Sequence, residues 1–276
     1  MEKRLKSYSR LARIDHGVLT AIAVVAGGIS SGVMDFTKLF LAVISAFFAE
    51  VFLFVTNDIL NIEEDRLNSP DRPLVTGEVS FREAWTISAV SLAIAVFLSY
   101  FIGFVAFLIM VTVLAIGFVY NWALKKVGFL GNVIVAAVTA SSFLYGGAAT
   151  AGYIGEKIFL YFLIAFTANV GREIVKGIRD IKGDLRAGVR TVAILFGEKS
   201  AGLVAAFFMI VAVALSFFGL KYTSKPVIYM ALISVTDFLF MYSSAAIVMY
   251  PRFEVADKVR KITLLGMGLA IIAFMF

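Results

Sequence analysis

The chain has 276 residues, 61% of them hydrophobic and only 16% charged, a balance that excludes an ordinary soluble domain. A mean hydropathy of +0.94 marks an integral membrane protein. The net charge of +6 does not point to nucleic acid, because the basic residues follow the alternation of apolar runs instead of forming one patch, and the absence of Cys excludes disulfides, thiolate metal sites and Cys nucleophiles.

In chain order, the basic stretch 1–15 flows into an apolar run without a small-residue cleavage site, so a removed signal peptide is not expected. Nine windows then follow that are long enough to cross a hydrocarbon core of about 30 Å, which takes roughly 20 helical residues. They lie near 17–34, 36–58, 84–102, 104–124, 130–150, 157–176, 200–220, 226–249 and 259–276, with an uncertain cut at Gly103. The runs are continuous and rich in Leu, Ala, Val and Phe, where barrel strands would alternate with period two. The predicted fold is an all-α polytopic membrane protein of nine transmembrane helices in a single domain, 1–276. Acidic motifs on the second and sixth helices hint at two related four-helix halves, about 15–126 and 129–250, plus a ninth helix over 259–276.

Of the 25 Lys and Arg residues, 21 fall on the side of the membrane that holds the N-terminus; the other side has only Lys38, Lys157, Lys221 and Lys225. By the positive-inside rule, the N-terminus and both acidic motifs face the cytoplasm across a cell membrane.

The first motif, Asn57-Asp58-Ile59-Leu60-Asn61-Ile62-Glu63-Glu64-Asp65, closes the second run. On one continuous helix Asp58, Asn61 and Asp65 share a face. Hard oxygen donors presented this way suit Mg²⁺, which takes one or two protein carboxylates and completes its shell with water and substrate phosphate. The second motif closes the sixth run, with Glu173, Lys176, Asp180 and Asp184 on one face if the helix continues past Gly177 and Gly183. A Lys among carboxylates suits an anionic substrate. The plainer reading is solvated helix ends. Two such motifs four spans apart on one side weigh against it.

The segment Arg66-Leu67-Asn68-Ser69-Pro70-Asp71-Arg72-Pro73 and onward to Ser80 resembles the UbiA superfamily of intramembrane aromatic and lipid prenyltransferases, whose first motif runs NDxxDxxxDRxNxPxRP. The likeness extends to Tyr120-Asn121-Trp122-Ala123-Leu124-Lys125-Lys126, to Gly131-Asn132, to the second motif and to Arg190-Thr191-Val192-Ala193-Ile194-Leu195-Phe196-Gly197. The resemblance implies a helix ring around a central cavity open to lipid, with two Mg²⁺ ions under a cytoplasmic cap. It also implies a prenyl diphosphate donor whose leaving diphosphate is held by both motifs, and an allylic carbocation attacked by a lipid or aromatic acceptor. Carried over, Asn57, Asp58, Asn61, Asp65, Asp180 and Asp184 are the metal set. Arg66, Arg72, Lys125 and Lys176, with Asn57 and Asn61, contact the diphosphate, and Tyr120 stands near the reacting carbon. Asn61 departs from the usual middle Asp, and Gly177 and Arg179 stand where archaeal-type relatives tend to carry acids; both changes predict weaker metal binding. Overall similarity is greatest to archaeal-type members that move a geranylgeranyl group onto geranylgeranylglyceryl phosphate. Prenylation of an aromatic quinone precursor is the alternative. An ion-coupled transporter is disfavoured, since transporters place coupling residues near the midplane and these acids sit at helix ends.

A phosphorylated acceptor calls for further cations, with Arg10, Arg13, Lys126 and Arg186 as candidates. Glu50 lies inside the second run and is costly there unless it faces a cavity or a partner; acceptor contact and proton handling are its functional readings. Asp237 in the eighth run reads as a helix-to-helix hydrogen-bonding residue. His16, the sole His, reads as solvated or capping.

Overall fold

The computed structural model describes residues 2–276, apart from the side chains of residues 2, 3, 15, 16, 67 and 68. His16 therefore lies outside the described side chains. Twelve helices occur in chain order: α1 (Glu2–Ala12), α2 (Ile14–Ser30), α3 (Phe36–Leu60), α4 (Ile62–Asn68), α5 (Phe81–Ile102), α6 (Phe104–Val119), α7 (Gly128–Ala151), α8 (Glu156–Arg179), α9 (Ile181–Arg186), α10 (Val192–Ser216), α11 (Pro226–Met249) and α12 (Phe253–Phe274). Local chemistry sets several starts. Asp35 accepts from the Lys38 amide at 2.9 Å at the head of α3, Ser80 and Glu83 form a reciprocal capping box at α5, and Pro226 opens α11. Gly103, at φ +151°, separates α5 from α6 in a region closed to side chains, which settles the uncertain cut.

All nine predicted windows overlap helices, the first running past the end of α2 at Ser30. Among the described residues seven helices can cross a membrane by length and composition, or eight if the bent pair α1 and α2 counts as one span. The count of nine is not reached for two reasons: α2 has only 17 residues, and α12 carries Glu254, Asp257, Lys258, Arg260 and Lys261 in its first half.

Long helices adjacent in the chain pack side by side, from α2 and α3 through α11 and α12, and α12 returns to α8 and α2. Without a hydrophobic drive between helices in lipid, close approach depends on small residues. At the α2–α7 contact a Cβ on Gly146 would stand 2.0 Å from the Val24 carbonyl oxygen, and one on Gly27 would stand 2.4 Å from that of Phe143. Large apolar side chains such as Phe36, Phe97, Phe104 and Phe238 remain on the outside, where lipid would cover them. At one end of the bundle Leu11, Val51, Val55, Ile59, Leu74, Val79 and Ala84 form a small core that roots α1 and the 71–80 loop on α3 and α5. Further out α1 is tied by polar contacts: Arg4 and Tyr8 to Glu83 at 3.1 and 2.8 Å, Ser7 to Glu78 at 2.7 Å, and Arg10 to Asp71 and Glu78 at 3.5 and 3.6 Å.

Candidate active site

The first motif does not lie on one continuous helix. α3 stops at Leu60, and Asn61 (φ −116°, ψ 28°) joins it to α4. The Asn61 side-chain amide turns back onto α3 and donates to the Asn57 carbonyl oxygen at 2.9 Å, the same oxygen that accepts the Asn61 backbone N–H at 3.0 Å, a local bond that competes with continued helix. The bend keeps Asp58 and Asp65 together, both buried, at 2% and 5% exposed. Arg72 donates to Asp58 at 2.8 Å and also to Asp65, so one guanidinium bridges the two carboxylates. Arg13 donates to the same Asp58 oxygen at 2.8 Å, and Asn57 approaches it at 3.4 Å. Burial pushes the Asp65 carboxyl above its ordinary pKa; the Asp58 charge adds to the shift, and Arg72 and Lys125 oppose it.

Arg13 is the one non-glycine with positive φ (+48°) among the described residues, a conformation that costs on the order of 1–2 kcal/mol. Its guanidinium stacks 4.4 Å above the Phe54 ring while reaching Asp58. The sequence offered Arg13 only as one of several spare cations, because the link to Asp58 is tertiary and spans 45 positions.

After α6 a π-helical turn, Tyr120–Leu124, carries the aromatic motif. Its i to i+5 bonding, with the Lys125 amide on the Tyr120 carbonyl at 2.9 Å, re-aims the chain as π turns at functional sites do. Asn121 donates from this turn to the Leu53 carbonyl at 2.8 Å, locking it to α3. Lys125 and Lys126 both meet Glu64, at 2.7 and 3.4 Å. Glu64 is thus a site residue that motif matching passed over.

The second motif also breaks, at Asp180 (φ −95°, ψ 8°), and neither Gly177 nor Gly183 interrupts a helix. Asp180 is held by both forks of Arg179, at 2.6 and 2.7 Å, and Lys176 meets Glu173 at 3.3 Å. Asp184 has its carboxyl pushed up to about 6, first by burial and then by the charges of Asp180 and Glu64, with Lys176 and Lys125 pulling it down. Glu64 and Lys125 come from the first half of the chain, so the two motifs share one electrostatic neighbourhood. The Tyr120 hydroxyl lies in the field of Glu173, Glu64 and Asp184. Arg66 is different: it pairs with Glu63 at 2.9 Å on an exposed face of α4.

Beneath this polar end, a small cavity of about 70 Å³ lies among α2, α3, α6 and α7, lined by Thr20, Glu50, Leu53, Met110, Ser142 and Tyr145 among others. Glu50 faces it, accepting a hydrogen bond from Thr20. Asp237 instead accepts from Ser216 at 2.9 Å across two helices.

Among the described residues no three His, Asp or Glu side chains gather tightly enough to hold a metal unaided. The donors are hard carboxylate oxygens in two pairs, and crowding like charges beside Asp184 costs energy that a cation relieves. That set fits Mg²⁺ completed by water and phosphate better than a closed protein cage.

An anion-gripping end above an apolar chamber, inside a multi-pass helical bundle, defines an intramembrane enzyme for substrates with a charged head and an apolar tail. The UbiA prenyltransferase family model matches residues 17–273, and the chain belongs to that family of prenyltransferases. The digeranylgeranylglyceryl phosphate synthase of Archaeoglobus fulgidus is 35% identical, over 99% of this chain and 96% of that protein. A solved structure concerning digeranylgeranylglyceryl phosphate synthase in membranes superposes with a TM-score of 0.83 at 34% identity, covering 100% of this chain and 98% of the other. A UbiA homolog from Archaeoglobus fulgidus bound to DMAPP and Mg²⁺ shares the fold, with a TM-score of 0.71 at 22% identity over 97% and 99% of the two chains.

Proposed function

We propose that the protein transfers a geranylgeranyl group from its diphosphate to the free hydroxyl of geranylgeranylglyceryl phosphate, with Mg²⁺. The observation that carries this reading is the meeting of two carboxylate and cation motifs above an apolar cavity, in a chain similar to such synthases along nearly its whole length. Asn57, Asp58, Asn61, Asp65, Asp180 and Asp184 would hold the metal, two ions being the number that two carboxylate pairs favour. When bound, Mg²⁺ supplies charge neutralisation for the diphosphate. Arg72, Lys125 and Lys176 bind the same anion and stabilise the charge that develops on it as the allylic C–O bond breaks and its electron pair leaves with pyrophosphate. The Tyr120 ring steadies positive charge on the allylic carbon, and the apolar chamber keeps water from it. The acceptor oxygen then bonds that carbon, and its proton passes to the released pyrophosphate. Arg66, tied to Glu63 in solvent, is the weakest of the proposed diphosphate contacts.

The charge asymmetry supports a site and N-terminus facing the cytoplasm. The pairings α2–α3, α3–α5 and α5–α6 recur as α7–α8, α8–α10 and α10–α11, which supports two related halves.

The test is Mg²⁺-dependent pyrophosphate release and ether formation from geranylgeranyl diphosphate in nanodiscs, with geranylgeranylglyceryl phosphate compared against an aromatic quinone precursor. Ether formation that chelation abolishes is expected; prenylation of the aromatic acceptor alone would overturn the reading.

A further inference from the structure

The acceptor proposed above carries a phosphate of its own, and three of the cations the sequence put forward for it are already engaged: Arg13 with Asp58 at 2.8 Å, Arg10 with Asp71 at 3.5 Å, and Lys126 with Glu64 at 3.4 Å. The fourth, Arg186, lies exposed at the end of α9.

A different group of arginines stands where α8 packs on α12. The Arg172 and Arg260 side chains are mostly buried, 17% and 28% exposed. In each, the Nε–H is fully buried and has no hydrogen-bond partner. A buried donor left unpaired is costly, and a guanidinium Nε beside an Nη is the fork that grips phosphate. The carboxylates nearby do not meet this demand. Arg172 is 3.7 Å from Glu173, which also serves Lys176, and Arg260 is 3.6 Å from Asp257, which Lys261 already holds at 2.6 Å. Arg179 adds a third guanidinium, already held by Asp180 at 2.6 and 2.7 Å and lying 3.9 Å from Asp257, so its part is the added positive charge, and Arg172 feels the repulsion of both Arg179 and Arg260. Cations thus outnumber anions in a partly desolvated corner, which favours an added anion. The corner adjoins the reacting end: Glu173, against Arg172, also acts on Tyr120.

We propose that Arg172 and Arg260, aided by Arg179, form a second anion site that takes the acceptor's phosphate, distinct from the diphosphate site at the acidic motifs. The inference rests on the acceptor reading above. A phosphate held there keeps the glycerol hydroxyl beside Tyr120, and the paired guanidiniums make the enzyme discriminate phosphorylated from dephosphorylated acceptor.

The test compares wild type with Arg172→Gln, Arg260→Gln and Arg260→Lys in nanodiscs, using geranylgeranylglyceryl phosphate and geranylgeranylglycerol as acceptors. Each Gln variant should raise KM for the phosphorylated acceptor about tenfold or more, the scale of one lost charge-assisted fork. KM for geranylgeranyl diphosphate should move far less, the preference for the phosphorylated acceptor should shrink toward parity, and Arg260→Lys should recover part of it. Glycerol 1-phosphate should compete with the acceptor in wild type, a check that needs no variant to fold. An equal rise for both acceptors, an unchanged KM, or no competition would overturn the second site. Pyrophosphate release by wild type without ether from either acceptor would instead sink the acceptor reading itself.

Discussion

The two acidic motifs differ in how their carboxylates are held. Asp58 and Asp65 are buried and bound by cations from distant segments, Arg13 at the head of α2 and Arg72 in the loop after α4. Asp180 is about one-third exposed and bound by its own neighbour Arg179, and Asp184 sits among like charges. The first motif is therefore part of what holds its end of the bundle together, whereas the second is organised locally and is the readier to exchange partners for a cation. Similar residues in two halves of one fold need not carry the same structural burden.

Alanine at the two leading carboxylates separates these roles most sharply. Asp58→Ala should abolish pyrophosphate release and also destabilise the protein by about 3–5 kcal/mol, because it strands the mostly buried Arg13 guanidinium and leaves Arg72 with Asp65 alone. Asp180→Ala should abolish release with little loss of thermal stability. Equal melting shifts for the two, measured in the same detergent, would erase the contrast.

A smaller effect concerns pH. The Asp184 carboxyl is raised to about 6 in the fold, so between its ordinary pKa and that value the folded state binds the extra proton. Its contribution to stability is therefore present in acid and lost as pH rises through this window, whereas a bound cation needs the ionised form. The Mg²⁺ concentration for half-maximal rate should rise about tenfold from pH 7 to pH 5, and Asp184→Asn should flatten that slope. A flat profile in wild type would place Asp184 outside the metal set.

The least effect is expected at Arg66, paired with Glu63 in solvent. Arg66→Ala should change turnover by no more than about fivefold, in keeping with an exposed pair worth at most about 1 kcal/mol. A loss near that of Asp58→Ala would show that Arg66 swings into the site when the donor binds.

Helical runs were readable because apolar length is a local signal: the run read near 226–249 coincides with α11, whereas the run read near 200–220 begins at Val192 in the structure. The helix break at Asn61 was not, because the side chain bonding back onto the Asn57 carbonyl leaves no trace in a helical spacing that looks continuous in one dimension. Motif residues were nameable, but Arg13 and Glu64 take their places only through contacts between segments far apart in the chain. Arg172 and Arg260 looked like ordinary flanking charges until packing of α8 on α12 buried their Nε groups.

The way α1 is fastened sets the order in which it would come loose. Its root, Leu11, is fully buried, while its far end depends on polar ties at the surface, each worth about 0.2–1 kcal/mol and weakened by electrolyte. Added salt should therefore loosen the free end before the root, read as faster amide exchange from Arg4 to Tyr8 than at Leu11.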